Sequence, residues 1–219
     1  MSNVSVKLFS ETIGGFDVDF FTEGSGKKKV SGFEGIMAQM NMVNGNGRIY
    51  PDEVLVPAVE NYVKQRVERN IAMGELDHPE TLTVSARNAS HLITDLRIEG
   101  DNVIGKAKFL TNSVGMDAKA LYESGVALTV STRGGGRAHK KKGIQYMDLF
   151  VLTAIDLVSL PSAPDAFVNG VMENLEFYVE SGQLSKSMAS KTSRMNTMSN
   201  DEFARHMESL INAIQLPTL

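Results

Sequence analysis

Apolar and polar positions along the chain recur in patterns that predict its elements. Val4-Ser5-Val6-Lys7-Leu8 alternates, which predicts a first strand. Residues 30–43 are rich in Ile, Met, Val and Phe and predict a long strand, ended by the turn signal Asn44-Gly45-Asn46-Gly47. After Pro51, the apolar residues Val54, Val56, Ala58, Val59, Tyr62, Val63 and Val67 recur at near-helical spacing. They predict a helix to about Asn70, with Asp52 and Glu53 at its positive end. Residues 91–99 and 102–110 read as two strands joined at Glu99-Gly100-Asp101, a hairpin. Residues 113–124 read as a helix capped by Ser113, with Met116, Ala120 and Leu121 as its apolar stripe and Gly125 as its end.

Two later stretches are more continuous. Residues 127–130 are short, apolar and partly β-branched, a buried strand running into Ser131, Thr132, Arg133 and three glycines. Residues 147–160 form a long apolar run, the pattern of a strand buried on both faces. Pro161-Ser162-Ala163-Pro164-Asp165-Ala166 closes that run in a rigid turn, and residues 175–179 predict a last strand. From about Ser181 the composition shifts to Ser, Lys, Met, Asn and Thr, which reads as a linker. Residues 201–215 then carry Phe203, Met207, Leu210, Ile211 and Ile214 on one side of a short amphipathic helix. The expected organisation is a folded domain over 1–180, a flexible linker over 181–200 and an amphipathic helix and tail over 201–219. No internal repeat is evident.

Composition narrows the function. The apolar fraction of 42% and charged fraction of 22% support a folded core within the 219 residues. A formal net charge of −4 argues against a general nucleic-acid binder, so no specific nucleic acid is expected as a partner. The chain has no Cys, which excludes disulfides, thiol catalysis and cysteine-ligated zinc. No apolar run approaches about 18 residues, so no membrane span is expected, and the N-terminus lacks a signal-peptide pattern. A soluble protein made in a cytoplasm is expected. Two basic stretches, Gly24 to Lys29 and Arg137 to Gly143, read as solvated turns.

Candidate chemistry gathers in a few places. Ser131 is a hydroxyl held at a strand end, Arg133 is a fixed cation, and the glycines from Gly134 let backbone N–H groups approach closely. These are the parts of an acyl-transfer site: a nucleophile and donors for an oxyanion. His78, in Gly-Glu-Leu-Asp-His-Pro, is a candidate general base. Asp156 interrupts the apolar run over 147–160. An unpaired carboxylate there would cost several kcal/mol, so it needs a partner. That partner is either a histidine, completing a serine–histidine–acid set, or an arginine such as Arg133 or Arg48. A metal-dependent hydrolase built on Glu75, Asp77 and His78 fits poorly, because side chains so close in sequence converge badly on one ion.

Four ordered stretches carry a family resemblance: 35–51 (Gly-Ile-Met-Ala-Gln-Met to Gly-Arg-Ile-Tyr-Pro), 74–79 (Gly-Glu-Leu-Asp-His-Pro), 130–134 (Val-Ser-Thr-Arg-Gly) and 161–166 (Pro-Ser-Ala-Pro-Asp-Ala). Over roughly Gly32 to Phe167 the sequence resembles the prohead core (maturation) proteases of T-even-like tailed phages, which are similar in fold to herpesvirus assemblins. The resemblance implies an α+β protein: a compact, mostly antiparallel β-barrel surrounded by a few helices. It implies a serine endopeptidase that cleaves scaffold, core and major capsid proteins inside the immature prohead, in the host cytoplasm. It places Ser131 on the nucleophile and His78 on the base. Asp156 is the expected third member, with His91 and His139 as rivals. Arg133 and Gly134 are the expected oxyanion donors. No cofactor and no metal are implied, and a homo-oligomer is expected. The family's preference for cutting after Glu marks Leu121-Tyr122-Glu123 as a candidate self-cleavage site. The alternative is a non-catalytic scaffold or structural capsid-assembly protein with the same fold.

Overall fold

The computed structural model describes residues 7–12, 18–25, 29–79 and 81–159, together with Glu202, Arg205, His206 and Ser209, which are helical. The turn expected at 161–166, the strand expected at 175–179 and the linker at 181–200 lie outside the described residues, as does most of the C-terminal helix. The described elements are β1 (Lys7–Thr12), β2 (Asp19–Glu23), β3 (Val30–Gln39), β4 (Arg48–Ile49), α1 (Asp52–Tyr62), β5 (Met73–Glu75), β6 (Ala89–Glu99), β7 (Asn102–Phe109), α2 (Ser113–Glu123), β8 (Thr129–Lys141) and β9 (Ile144–Val158).

These strands form two sheets, not the expected closed barrel. One has the order β1-β8-β9-β4 and the other β2-β3-β7-β6-β5. All pairings are antiparallel except β4 with β9. The sheets meet along the outer side of β9. Its beginning is taken by β4, and near its end Leu76 makes a parallel bridge to Leu157 while Asp77 N–H donates to the Leu157 carbonyl at 2.9 Å. Among the described residues no ladder joins the opposite edges, β1 and β2, so the wall stays open there.

The helix on this framework follows its sequence pattern. Pro51 stands at its N-cap, and Leu55, Ala58, Val59 and Tyr62 are its buried face, against β9. A π-helical turn over Val63–Val67 extends it, and Asn70, at φ +55°, ends the turn that follows. The β6–β7 hairpin closes through Gly100 and Asp101, with Gly100 at φ +60°.

Three expectations are corrected by packing. Asn112, not Ser113, caps α2: its Oδ1 accepts from Gly115 N–H at 3.0 Å and its Nδ2 donates to the Ala89 carbonyl at 2.8 Å. The buried face of α2 is Gly115 and Ala118, while Met116, Ala120 and Leu121 are exposed. The helix lies so close to the sheet that a Cβ at Gly115 would collide with the Leu110 and Ser90 carbonyls. The third correction concerns the strand expected over residues 127–130, which runs on through the glycines after Ser131. They lie inside β8, where a Cβ at Gly134 would run into the Val151 carbonyl and the Phe150 ring. Close cross-strand packing accounts for Gly134 and, against the Leu149 carbonyl, for Gly136. β9 is buried continuously from Phe150 to Val158, as its apolar run predicts.

Candidate active site

β8 and β9 bring Ser131 and Asp156 together by register alone: the two residues are cross-strand partners. His78 arrives from the seam. Beyond the Leu76 bridge, Asp77 takes a left-handed backbone, φ +65°, unusual for a residue other than glycine. His78 follows. Its Nδ1 lies 2.8 Å from Asp156 Oδ2, and its Nε2 is hydrogen-bonded to Ser131 Oγ.

The chemistry of the partners decides the tautomer. Burial by itself would push the Asp156 carboxyl up, but the hydrogen bond from His78 and the charge of Arg133 outweigh it and hold Asp156 below the usual carboxylate range. A carboxylate only accepts, so Nδ1–H donates to it and Nε2 is left to accept from the serine hydroxyl. Ser131 and Asp156 are fully buried, while the His78 side chain keeps 14% exposure.

Asp156 does not choose between a histidine and an arginine; it has both. Arg133 Nε donates to Oδ2 at 2.8 Å and Nη2 to Oδ1 at 3.1 Å. The rest of the guanidinium is equally occupied. Nη2 also donates to Glu75 Oε2 at 2.8 Å, and Nη1 donates to the carbonyls of Thr81 at 2.6 Å and Thr83 at 3.0 Å. A guanidinium has five N–H donors, and these contacts engage all of them. In this geometry none is left for a substrate oxygen, so the oxyanion role expected of Arg133 does not fit. Gly134 lies within the ladder, between Phe9 of β1 and Leu152 of β9. Arg48, the other arginine considered for Asp156, instead donates from Nε to Gln145 Oε1 at 2.9 Å.

The rival histidines lie elsewhere. His91 is buried; its Nε2 donates to the Ile155 carbonyl at 2.9 Å and its Nδ1 pairs with Ser90 Oγ at 2.9 Å. His139 is exposed on the β8–β9 hairpin, where it pairs with Asp148 at 2.7 Å and stacks on Tyr146. Glu123 is the last residue of α2, exposed and paired with Lys119 at 3.0 Å. Among the described residues no three His, Asp or Glu side chains gather into a metal-binding group.

One participant escaped its sequence signal. Glu75 enters the sequence reading only as a poor metal ligand. In the fold it is 2% exposed, its Oε2 holds Arg133, its Oε1 accepts from Ser85 N–H at 3.1 Å, and its own N–H donates to Asp156 Oδ1 at 3.0 Å. Its position three residues before His78, in Gly-Glu-Leu-Asp-His-Pro, was the available hint.

Buried Ser131 and Asp156 with His78 hydrogen-bonded between them, on an open, two-sheet α+β framework, are the arrangement that serine hydrolases use. Residues 21–176 match the prohead core protein serine protease family, and the chain belongs to that family. It is 36% identical over 140 residues to the prohead core protein protease of Enterobacteria phage T4. That match spans 62% of this chain and 66% of the relative's length, just under two thirds. The solved structure of the bacteriophage T4 capsid assembly protease superposes with a TM-score of 0.67 at 30% identity, covering 71% of this chain and 99% of that one.

Proposed function

We propose that this protein is a serine endopeptidase that cleaves scaffold, core and capsid proteins during maturation of a phage prohead, with Glu preferred before the cut. It would act inside the immature particle, in the host cytoplasm. The observation that carries the reading is His78 spanning Ser131 Oγ on one ring nitrogen and Asp156 on the other.

In this reading His78 Nε2 takes the hydroxyl proton as Ser131 Oγ attacks the peptide carbonyl. Asp156 holds the ring in the required tautomer and stabilises the imidazolium. The proton then passes from Nε2 to the leaving amine, and a water, deprotonated in turn by His78, releases the acyl group from Ser131. Arg133 is a positioning residue that fixes Asp156. Because Ser131 is fully buried, a substrate carbonyl reaches it only after the site opens, which suits an enzyme that stays silent until assembly.

The test compares the wild-type chain with Ser131→Ala on a Glu-containing peptide from a prohead scaffold protein. Wild type cuts after Glu, and the variant loses activity by a factor on the order of 10⁴ or more. Equal cleavage by both removes Ser131 from the mechanism. No cleavage by either favours a non-catalytic scaffold or structural protein.

A further inference from the structure

Arg133 poses an electrostatic problem for the proposed reaction. It contacts the same Asp156 oxygen, Oδ2, that receives His78 Nδ1, each at 2.8 Å. Arg133 and Asp156 are both fully buried. A guanidinium joined so closely to a carboxylate cancels most of its field, and an imidazolium forming beside the pair meets a dipole in place of a charge. On that pairing alone, Asp156 would orient His78 but do little to stabilise its positive form.

We propose that Glu75 is a positioning residue that solves this problem: its carboxylate engages Arg133 and returns a net negative charge to the cluster that faces His78. Glu75 Oε2 is 2.8 Å from Arg133 Nη2. Two carboxylates and one guanidinium sum to −1 while His78 is neutral, and to zero when His78 holds the serine proton. Forming the imidazolium therefore completes the charge balance of a buried cluster. Without Glu75 the same step would leave an uncompensated positive charge against a cluster of buried side chains.

The surrounding groups leave Glu75 in this role. Tyr62 from α1 faces Asp156 and Arg133, and burial pushes its phenol pKa up, so it stays neutral. His91 from β6 also faces Asp156; burial pushes it down to about 4, so it is neutral near pH 7. Arg66, in the π-helical turn, acts on Tyr62, and Asp77 adjoins His78 in the chain. Burial pushes the Glu75 carboxyl up, against the charge of Arg133 and the hydrogen bond from Ser85. The idea therefore requires that Glu75 be ionised where the enzyme works. The cluster also ties down the segment after His78, because Arg133 holds the Thr81 and Thr83 carbonyls and Glu75 holds Ser85 N–H.

This inference rests on the Ser131–His78–Asp156 reading, and its test separates the two. The pH profile of kcat/KM is measured for wild type, Glu75→Gln and Glu75→Asp, with Ser131→Ala as control. The His78 ring is titrated by NMR in the Ser131→Ala background with and without Glu75→Gln. The glutamine variant is expected to move the acid limb and the ring midpoint down by about one pH unit and to lower kcat about tenfold, with KM within about twofold. The aspartate variant keeps the limb near its wild-type position. A folded glutamine variant with an unmoved limb and midpoint overturns the inference. Should that variant fail to fold, the ¹³C carboxyl shift of Glu75 in the Ser131→Ala protein decides. A carboxylate across the pH range of the His78 titration supports the inference, and a protonated Glu75 there overturns it. Activity surviving in Ser131→Ala would instead remove Ser131 from the mechanism and sink the Ser131–His78–Asp156 reading, while the NMR shift would still report on Glu75.

Discussion

Asp156 and Arg133 share two hydrogen bonds across β8 and β9, and the same Asp156 Oδ2 that accepts from Arg133 Nε also accepts from His78. The anchoring of Arg133 and the orientation of the His78 ring thus depend on one carboxylate. Asp156→Asn tests that dependence. The amide has a single acceptor oxygen, and its NH₂ would face donors from Arg133, His78 or Glu75 N–H. Removing one of the two carboxylates that hold buried Arg133, and setting its donors against an amide, should lower unfolding stability by about 1–3 kcal/mol. Loss of the tautomer-fixing carboxylate should lower kcat by a factor on the order of 10⁴. Urea denaturation and peptide hydrolysis measure the two effects. Near-normal stability would contradict the shared anchor, and a loss of activity under tenfold would remove Asp156 from the mechanism.

His91 makes a separate prediction for acid stability. Burial lowers it from 6.5 to about 4. The folded state therefore binds fewer protons than the unfolded state between these values, and stability rises with pH across that window. The contribution is fully present above about pH 6.5 and is lost as pH falls toward about 4. It amounts to about 3 kcal/mol. His91→Gln cannot titrate, so its stability should change less between pH 7 and pH 4 than that of wild type. It should also be weaker at pH 7, because glutamine fits the Ser90 and Ile155 partners imperfectly. Parallel urea titrations at both pH values check this, and equal pH slopes in the two proteins would refute it.

The sequence disclosed the parts of this architecture that depend on local pattern and on the cost of burial. The apolar run over 147–160 marked β9, and the price of burying a carboxylate marked Asp156 as needing a partner. Sequence left histidine and arginine as alternatives because it cannot show that one carboxylate has enough acceptor sites for both. The exposed Met116 and Leu121 show a different limit. Apolar character predicted the buried face of α2, but close approach to the sheet selected Gly115 and Ala118 by size. The run of β8 through its glycines, beyond the strand expected over 127–130, was hidden for a related reason, since close cross-strand contact leaves no periodic trace. Barrel closure was illegible as well: no local pattern tells which strand edges find each other. Glu75 had too little signal, because its partners come from β8, β9 and the segment after His78.

Gly74 joins the core to the site and predicts a sharp steric effect. It precedes Glu75 on β5, and a Cβ there would collide with the Ile155 carbonyl and the His91 ring. Gly74→Ala should therefore break the His91–Ile155 hydrogen bond and shift Glu75 against Arg133. Overpacking of this kind costs about 1–3 kcal/mol. The variant should lose at least tenfold in kcat/KM while still folding, because Glu75 moves with its neighbour. Thermal unfolding and peptide hydrolysis test it; unchanged stability would show that the β5 backbone yields freely.

The Glu123–Ser124 bond carries the last prediction. Glu123 closes α2, and its side chain is 59% exposed, paired with Lys119 at 3.0 Å. Leu121 and Tyr122 before it are also exposed, so the residues that a Glu-preferring endopeptidase would read lie at the surface. Ser124 still donates its N–H to the carbonyls of Ala120 and Leu121, and a protease needs extended backbone, so the final turn must unwind before it is cut. Helix ends fray at small cost, but the turn must open before each cut, so self-cleavage here would be slow in the folded protein and would follow processing of better substrates. Cleavage there would cut the covalent link between α2 and β8, leaving Ser131 and Asp156 on one fragment and His78 on the other. Aged active protein should accumulate a fragment ending at Glu123 in mass spectra. Glu123→Gln should lengthen the active lifetime several-fold at unchanged initial rate, and Ser131→Ala should yield no such fragment. A bond that stays intact in fully active protein, or that is cut equally in the Ser131→Ala chain, would end the idea that the enzyme switches itself off at this site.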